Sequence, residues 1–256
     1  MSYTLHISYA TKNKDSRPNQ DNCMVDKYLK SISMLPYASG EIVVDSSEKR
    51  LFLVSDGAGG TSEGEKASEI TVNTIFSYLD SIKSINRDTV LKNAIDDANV
   101  KVAEYFENIG NIGAATLTGL FFSGDSVISF NAGDSPVFLL NNGELERIHK
   151  EHTLAAEKYG ASGLQKAGED ANTITHYMGK RGVSGSEQTF FKRIDIVNKM
   201  VFLIASDGVE KGLTDKSIKK ILSTKKSKTA QTLVEKAYRN GAGDDITAIV
   251  IRVIIN

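Results

Sequence analysis

Two stretches of this chain end the same way, and they constrain its fold more than any other feature. Leu51-Phe52-Leu53-Val54-Ser55-Asp56-Gly57 is a short apolar run that stops at Ser-Asp-Gly. Val201-Phe202-Leu203-Ile204-Ala205-Ser206-Asp207-Gly208 repeats the pattern roughly 150 residues later. An unbroken apolar run of this length reads as a strand buried on both faces. An Asp at its end stands where the buried strand meets solvent, and the Gly beside it lets a ligand approach the backbone closely. Asp-Gly is also a common hairpin turn signal, but neither copy leads into an alternating strand. Asp56-Gly57 runs into Ala58-Gly59-Gly60 and then an acidic helical pattern. Asp207-Gly208 runs into a short loop and then Thr214-Asp215, a helix start. Two carboxylates delivered on stiff supports are therefore expected to converge on one hard cation.

The rest of the chain is compatible with one globular unit. No Pro/Ser-rich linker divides its 256 residues and only three prolines occur, so residues 1–256 are expected to form a single domain. The 31 basic and 32 acidic side chains give a net charge of −1, which argues against a nucleic-acid binder. Cys23 is the sole cysteine, so no disulfide can form within the chain, as suits a reducing cytosol. The first residues lack the pattern of a signal peptide, and no apolar run approaches the ~20 residues of a membrane span. A cytoplasmic protein without membrane contact, and a monomer, are expected.

Taken in order, residues 3–10 and 23–29 read as strands flanking a polar loop that carries Arg17, Pro18 and Asp21. Asp21 lies at a strand mouth, as Asp56 and Asp207 do, and Arg17 is a cation suited to a two-pronged grip on phosphate. A further strand is expected at 41–44. Ser62 with Glu65 makes a capping box, and apolar spacing predicts helices to about residue 82 and over roughly 87–109. Residues 113–148 change to the period of an antiparallel meander, broken at Gly133-Asp134-Ser135. That break has two readings, a bulge or a ligand site. Residues 149–188 hold His149, His152 and His176, but no Cys or further His has zinc-ligand spacing. The run Gly179–Ser186 reads as a mobile loop of the kind that sits over a site. Residues 189–197 and 200–206 read as a hairpin, followed by helices from Thr214 and over about 227–239. Asp244 then precedes a final strand at 246–255.

Asp21, Asp56, Asp207 and Asp244 thus stand beside apolar strands, with Asp134 as a candidate fifth. An oxygen-only donor set selects Mg²⁺ or Mn²⁺. Clustered carboxylates repel one another unless a cation neutralises them. Two such ions can make a hydroxide near neutral pH and clamp a phosphoryl oxygen. No activated Ser, Cys or His nucleophile stands out, so direct attack by water is expected.

Six motifs carry a resemblance. Arg17-Pro18-Asn19-Gln20-Asp21, Ser55-Asp56-Gly57-Ala58-Gly59-Gly60, Gly113-Ala114-Ala115-Thr116-Leu117, Asn131-Ala132-Gly133-Asp134-Ser135, Ala205-Ser206-Asp207-Gly208 and Gly243-Asp244-Asp245-Ile246-Thr247 occur in that order. Over nearly the whole chain this resembles the metal-dependent serine/threonine protein phosphatases of the PPM, or protein phosphatase 2C, family, and especially its compact bacterial members. The resemblance implies an α+β fold, a four-layer α/β/β/α sandwich of two packed antiparallel sheets flanked by helix pairs. It implies that Asp56 bridges two ions, that the Gly57 carbonyl binds one, and that Asp207 and Asp244 bind the other. Asp21 would act through metal-bound water, Asp134 would serve a third, weaker ion, and Arg17 would bind phosphate. Residues 149–188 would form the flap beside the site. The implied activity is hydrolysis of phosphoserine and phosphothreonine on a protein substrate, such as a Ser/Thr kinase or its targets. The alternative is a catalytically silent module that docks phosphoproteins. Four departures from the family pattern stand out. Arg17 lies one residue nearer its Asp than usual, Ala58 offers no general acid, Asp245 replaces an Asn, and Pro136 replaces an Arg.

Overall fold

The computed structural model describes residues 2–30, 36–58, 63–79, 81, 87–160, 168–224 and 226–256. The first strands are β1 (Tyr3–Lys12), β2 (Asp21–Val25), β3 (Leu29–Lys30), β4 (Tyr37–Asp45) and β5 (Arg50–Ala58). Two helices follow, α1 (Gly64–Ser77) and α2 (Arg87–Asn108). Then come β6 (Ala114–Ala115), β7 (Leu117–Ser123), β8 (Ser126–Ala132), β9 (Val137–Asn141) and β10 (Glu144–Arg147). Two short helices, α3 (Leu154–Tyr159) and α4 (Glu169–Asn172), precede β11 (Phe190–Asp195) and β12 (Val201–Ala205). The chain closes with α5 (Gly208–Gly212), α6 (Asp215–Leu222), α7 (Thr229–Arg239) and β13 (Ile246–Ile255).

The strands make two antiparallel sheets. One has the order β10-β9-β12-β13-β1-β4, the other β11-β8-β7-β5-β2-β3, with β6 paired to β5. The two apolar runs that stop at Ser-Asp-Gly fill β5 and β12, and Leu51–Val54 and Val201–Ala205 are buried on both faces. Each strand can be apolar throughout because each sheet has a helical layer on one side and the other sheet on the opposite side. Between the sheets, Phe122 of one meets Phe202 of the other edge to face at 5.6 Å, and Phe52 extends the contact. Outside the second sheet, Ala67, Val72, Ile75, Ala94, Ile95, Ala98 and Val102 bury the inner faces of α1 and α2. Outside the first, Val209, Ile218, Leu222, Leu233, Val234 and Ala237 do the same for α5–α7. The expected α/β/β/α sandwich is the observed one.

Several local expectations change. The strand expected at 23–29 is a hairpin, β2 and β3, whose turn holds Asp26 at φ 48°. The strand expected at 41–44 is longer, running along β1 from Tyr37 to Asp45. Ser62 of the expected capping box lies outside the described residues, and α1 starts at Gly64 with no side-chain cap bond from Glu63. Gly208 opens a helical turn directly rather than a loop, so among the described residues three helices, not a pair, cover that side. Thr214 caps α6 as expected, accepting from the Ser217 N–H.

The meander and the second hairpin are both overturned for one reason. β7 and β8 pair in the second sheet, while β9 and β10 pair in the first. Gly133, at φ 112°, carries the chain from one sheet to the other. Likewise β11 pairs with β8, whereas β12 pairs with β9 and β13. The turn at Asn198-Lys199, with Lys199 at φ 67°, crosses between layers instead of closing a hairpin. The run Gly179–Ser186 is not loose. The Asn99 carbonyl accepts from the N–H groups of Gly179 and Lys180, its amide donates to the Lys180 and Val183 carbonyls, and Asp96 accepts from Ser186. The segment is fastened to α2.

Candidate metal centre

One rim of the sandwich collects the acids because the strands that carry them start or stop there. Asp21 opens β2 and is the register partner of Asp56 near the end of β5. The Gly57 N–H donates to the Gln20 carbonyl at 3.0 Å, locking the two mouths together. Asp207 follows the end of β12, and Asp244 lies two residues before β13, its neighbour in the other sheet. Asp134 stands at the crossover between sheets, one residue past the glycine that makes it. Both Asp-Gly glycines are required by backbone contact. A Cβ on Gly57 would overlap the Gly64 carbonyl, and one on Gly208 would overlap the Asp245 carbonyl. The close approach is protein to protein, not only protein to ligand.

Hydroxyls orient the carboxylates. The Thr116 hydroxyl accepts from the Asp56 N–H at 2.9 Å, and the Thr116 N–H donates to the Asp56 carbonyl at 2.8 Å. The Thr116 and Ser135 hydroxyls share a further hydrogen bond at 2.7 Å, tying β5 to the crossover. The Ser206 hydroxyl donates to Asp21 Oδ2 at 2.7 Å while accepting from the Thr247 N–H. Asn19 donates to Thr11 Oγ1 at 2.8 Å, and the Thr11 and Thr247 hydroxyls share a hydrogen bond at 2.7 Å. Thr247 in turn bonds Asp21.

The cost of this gathering appears in the acidities. Burial, followed by the charge of Asp245, pushes the Asp21 carboxyl up to about 8. Burial and the charges of Asp21, Asp207, Asp244 and Asp134 hold Asp56 well above the usual carboxylate range. Asp134 is pushed up to about 7 by burial, then by Asp207 and Glu151. Asp207 is raised by burial, partly offset by Lys211. Asp244 alone lies below its ordinary value: burial opposes its charge, but bonds and proximity to Lys211, the Asp245 N–H and Lys14 outweigh it.

The donor set suits a hard divalent cation. Asp21 Oδ1 and Asp207 Oδ1 are buried with no hydrogen-bond partner among the described residues, and a buried carboxylate oxygen left bare is costly. In this conformation, however, no three His, Cys, Asp or Glu side chains among the described residues are gathered to hold an ion by themselves. The Lys211 ammonium lies 2.6 Å from Asp207 Oδ2 and 2.5 Å from Asp244 Oδ2, bridging the two acids.

Residues 38–239 match the family model described as protein phosphatase 2C, a span that includes Asp56, Asp134 and Asp207. The chain belongs to the protein phosphatase 2C family. As a member of that family it is a protein phosphatase. The serine/threonine phosphatase stp of Listeria monocytogenes is 24% identical over 83% of this chain and 88% of its own length. The serine/threonine protein phosphatase PstP of Mycobacterium tuberculosis is 27% identical over 80% of this chain and 40% of its own. Among solved structures, a PstP catalytic domain in complex with two manganese ions superposes with a TM-score of 0.77 at 23% identity, covering 98% of this chain and all of that one. The S. agalactiae serine/threonine phosphatase superposes at 0.79 with 21% identity, covering 98% of this chain and all of that one. At these identities the superpositions establish the shared fold.

Within this phosphatase, the rim unites Asp21, Asp56, Gly57, Asp134, Asp207 and Asp244. Arg17 stands apart from them. It is exposed and its guanidinium forks onto Asp15, at 3.0–3.2 Å. Three neighbours escaped the sequence analysis. Lys211 is one helical turn beyond Asp207, a spacing that could have flagged it. Glu151 adds its charge to Asp134 and Asp207, and His149 lies 3.5 Å from it. Asp245, noted only as standing where an Asn is usual, is a clasp: its two oxygens accept from the Lys14 N–H at 2.8 Å and the Gln20 N–H at 2.7 Å, closing the loop that bears Arg17. The histidines serve structure. His152 is buried, accepts from the Gly133 N–H through Nδ1 and stacks on His176 at 4.2 Å. No described helix is long and apolar enough to cross a membrane.

Proposed function

We propose that this phosphatase hydrolyses phosphoserine and phosphothreonine on protein substrates with two Mn²⁺ or Mg²⁺ ions at the acid rim, and that residues 1–256 act as one catalytic domain. The observation that carries this is the pair of unpartnered buried oxygens, Asp21 Oδ1 and Asp207 Oδ1, beside three further carboxylates in a chain of this family. When bound, the ions would supply an acidified water as nucleophile and positive charge against the phosphoryl oxygens.

The chain's own residues divide the remaining work. Asp56 would serve both ions, the Gly57 carbonyl would hold one and Asp207 and Asp244 the other; Asp21 would act through a bound water, and Asp134 would serve a weaker third ion. Ser206 and Thr247 keep Asp21 aimed at the rim, and Thr116 keeps Asp56 there. Arg17 would exchange Asp15 for a substrate phosphate, a swap between two oxyanions that its planar fork permits. With Ala58 after the Asp-Gly, the leaving serine or threonine would take its proton from solvent. The partners that fit are phosphoproteins, such as a Ser/Thr kinase or its targets, and a cytoplasmic monomer suits that role.

The test is turnover of p-nitrophenyl phosphate and a phosphothreonine peptide in Mn²⁺, with Asp207→Asn alongside. Loss of turnover with chelator, recovery with Mn²⁺ or Mg²⁺ and a large drop in the variant are expected. Equal rates for wild type and variant would favour the silent docking module instead.

A further inference from the structure

Lys211 presents an arrangement that the family assignment does not account for. Its Nζ sits between Asp207 Oδ2 and Asp244 Oδ2, at 2.6 and 2.5 Å. Lys14 adds a second ammonium 3.6 Å from Asp244 Oδ1. The other half of the rim is treated differently. Among the described residues, no Lys or Arg is paired with Asp21 or Asp56, and Asp21 is served by the Ser206 and Thr247 hydroxyls. One half of the acid cluster therefore carries its own cation and the other does not.

We propose that Lys211 is a built-in counter-cation of the Asp207–Asp244 half, which holds those carboxylates in the metal-free protein and must withdraw before that half takes an ion. This rests on the two-metal function proposed above. The physical ground is competition between cations for one pair of carboxylates. Asp207 Oδ1 has no partner among the described residues, but an ammonium fixed on the Oδ2 atoms of both acids repels a divalent ion brought to the same pair and neutralises the charge that would bind it. Lys211 can yield. It is the fourth residue of the short helix α5, its side chain is 37% exposed, and its flexible four-carbon stem can swing outward. The two halves should then load unequally, with the Asp207–Asp244 half the weaker. The site could hold the fold together without metal and still switch on as the metal concentration rises.

The experiment is isothermal titration of the metal-free protein with Mn²⁺, for wild type, Lys211→Ala, Lys211→Gln and Lys211→Arg. In Lys211→Ala and Lys211→Gln the weaker binding event should tighten about tenfold or more while the tighter one changes little, and Lys211→Arg should resemble wild type. Melting in chelator should also show Lys211→Ala less stable than wild type, with the gap closing in excess Mn²⁺. Lys211→Gln, which keeps most of the stem, serves if Lys211→Ala folds poorly. Wild-type binding with the weaker event unchanged or weakened in both neutral variants would overturn this proposal and leave the metal centre standing. No Mn²⁺ binding by any of the proteins would overturn both. Binding gained only in the neutral variants would support the role of Lys211.

Discussion

The Ser206 hydroxyl donates to Asp21 Oδ2 across 2.7 Å, so a residue following a strand of one sheet holds a carboxylate that opens a strand of the other. The Ser206 hydroxyl oxygen also accepts from the Thr247 N–H at 2.9 Å. Ser206→Ala removes both interactions and leaves a buried carboxylate with its other oxygen already unpartnered. The expected loss is about 2 kcal/mol in urea denaturation, with weaker Mn²⁺ binding. Ser206→Thr, which keeps the hydroxyl, should recover most of both.

Asp245 closes the loop from Lys14 to Gln20 with one carboxylate oxygen for each end. Asp245→Asn keeps a single acceptor, so one of those N–H groups is released. Amide exchange at Lys14 or Gln20 should quicken by about tenfold. KM for a phosphopeptide should rise while kcat changes little, because Arg17 rides on this loop. Unchanged exchange at both amides would show that the clasp does not hold the loop.

The acid rim sets stability against function. Asp56 is crowded by four other carboxylates, and burial compounds the penalty. Asp56→Asn should abolish Mn²⁺-dependent turnover, by about a hundredfold or more, and yet raise stability in chelator at pH 8 by about 1 kcal/mol. A variant that lost activity and stability together would argue that Asp56 is held by bonds the rim does not reveal.

His152 gives a pH signature away from the rim. Burial, then His176, Lys150 and His149, depress its imidazole to about 3. Unfolded, it titrates near its ordinary value, so between about 6.5 and 3 the unfolded chain binds a proton that the native one refuses. Its contribution is fully favourable above about 6.5 and is lost as pH falls toward 3, by at most about 1.4 kcal/mol per pH unit. Urea denaturation at stepped pH should show a shallower decline for His152→Asn than for wild type. Parallel declines would place the acid sensitivity elsewhere.

Much of this was legible from local pattern, and what was not has a physical cause. Leu51–Val54 and Val201–Ala205 declared buried strands because nothing else accommodates such runs at that length, and Asp56 and Asp207 followed from where the runs stop. The crossovers at Gly133 and Lys199 were misread because a tight turn has the same local chemistry whether it closes a hairpin or steps between packed sheets. Only the partner strands decide, and β9 and β12 pair with each other from some sixty positions apart. Gly179–Ser186 looked loose for the same reason: its anchors, Asp96 and Asn99, lie on a helix far upstream. Lys211 lay in what reads as a short loop, and its meaning depends on Asp244, which is thirty-three residues away.

The central claim is that these scattered acids form one metal centre. It is tested most directly by anomalous diffraction at the manganese edge from crystals grown with Mn²⁺. Two peaks within bonding distance of Asp56, one of them shared with Asp207 and Asp244, are predicted. No peak at the rim, or ions bound only by other residues, would contradict it.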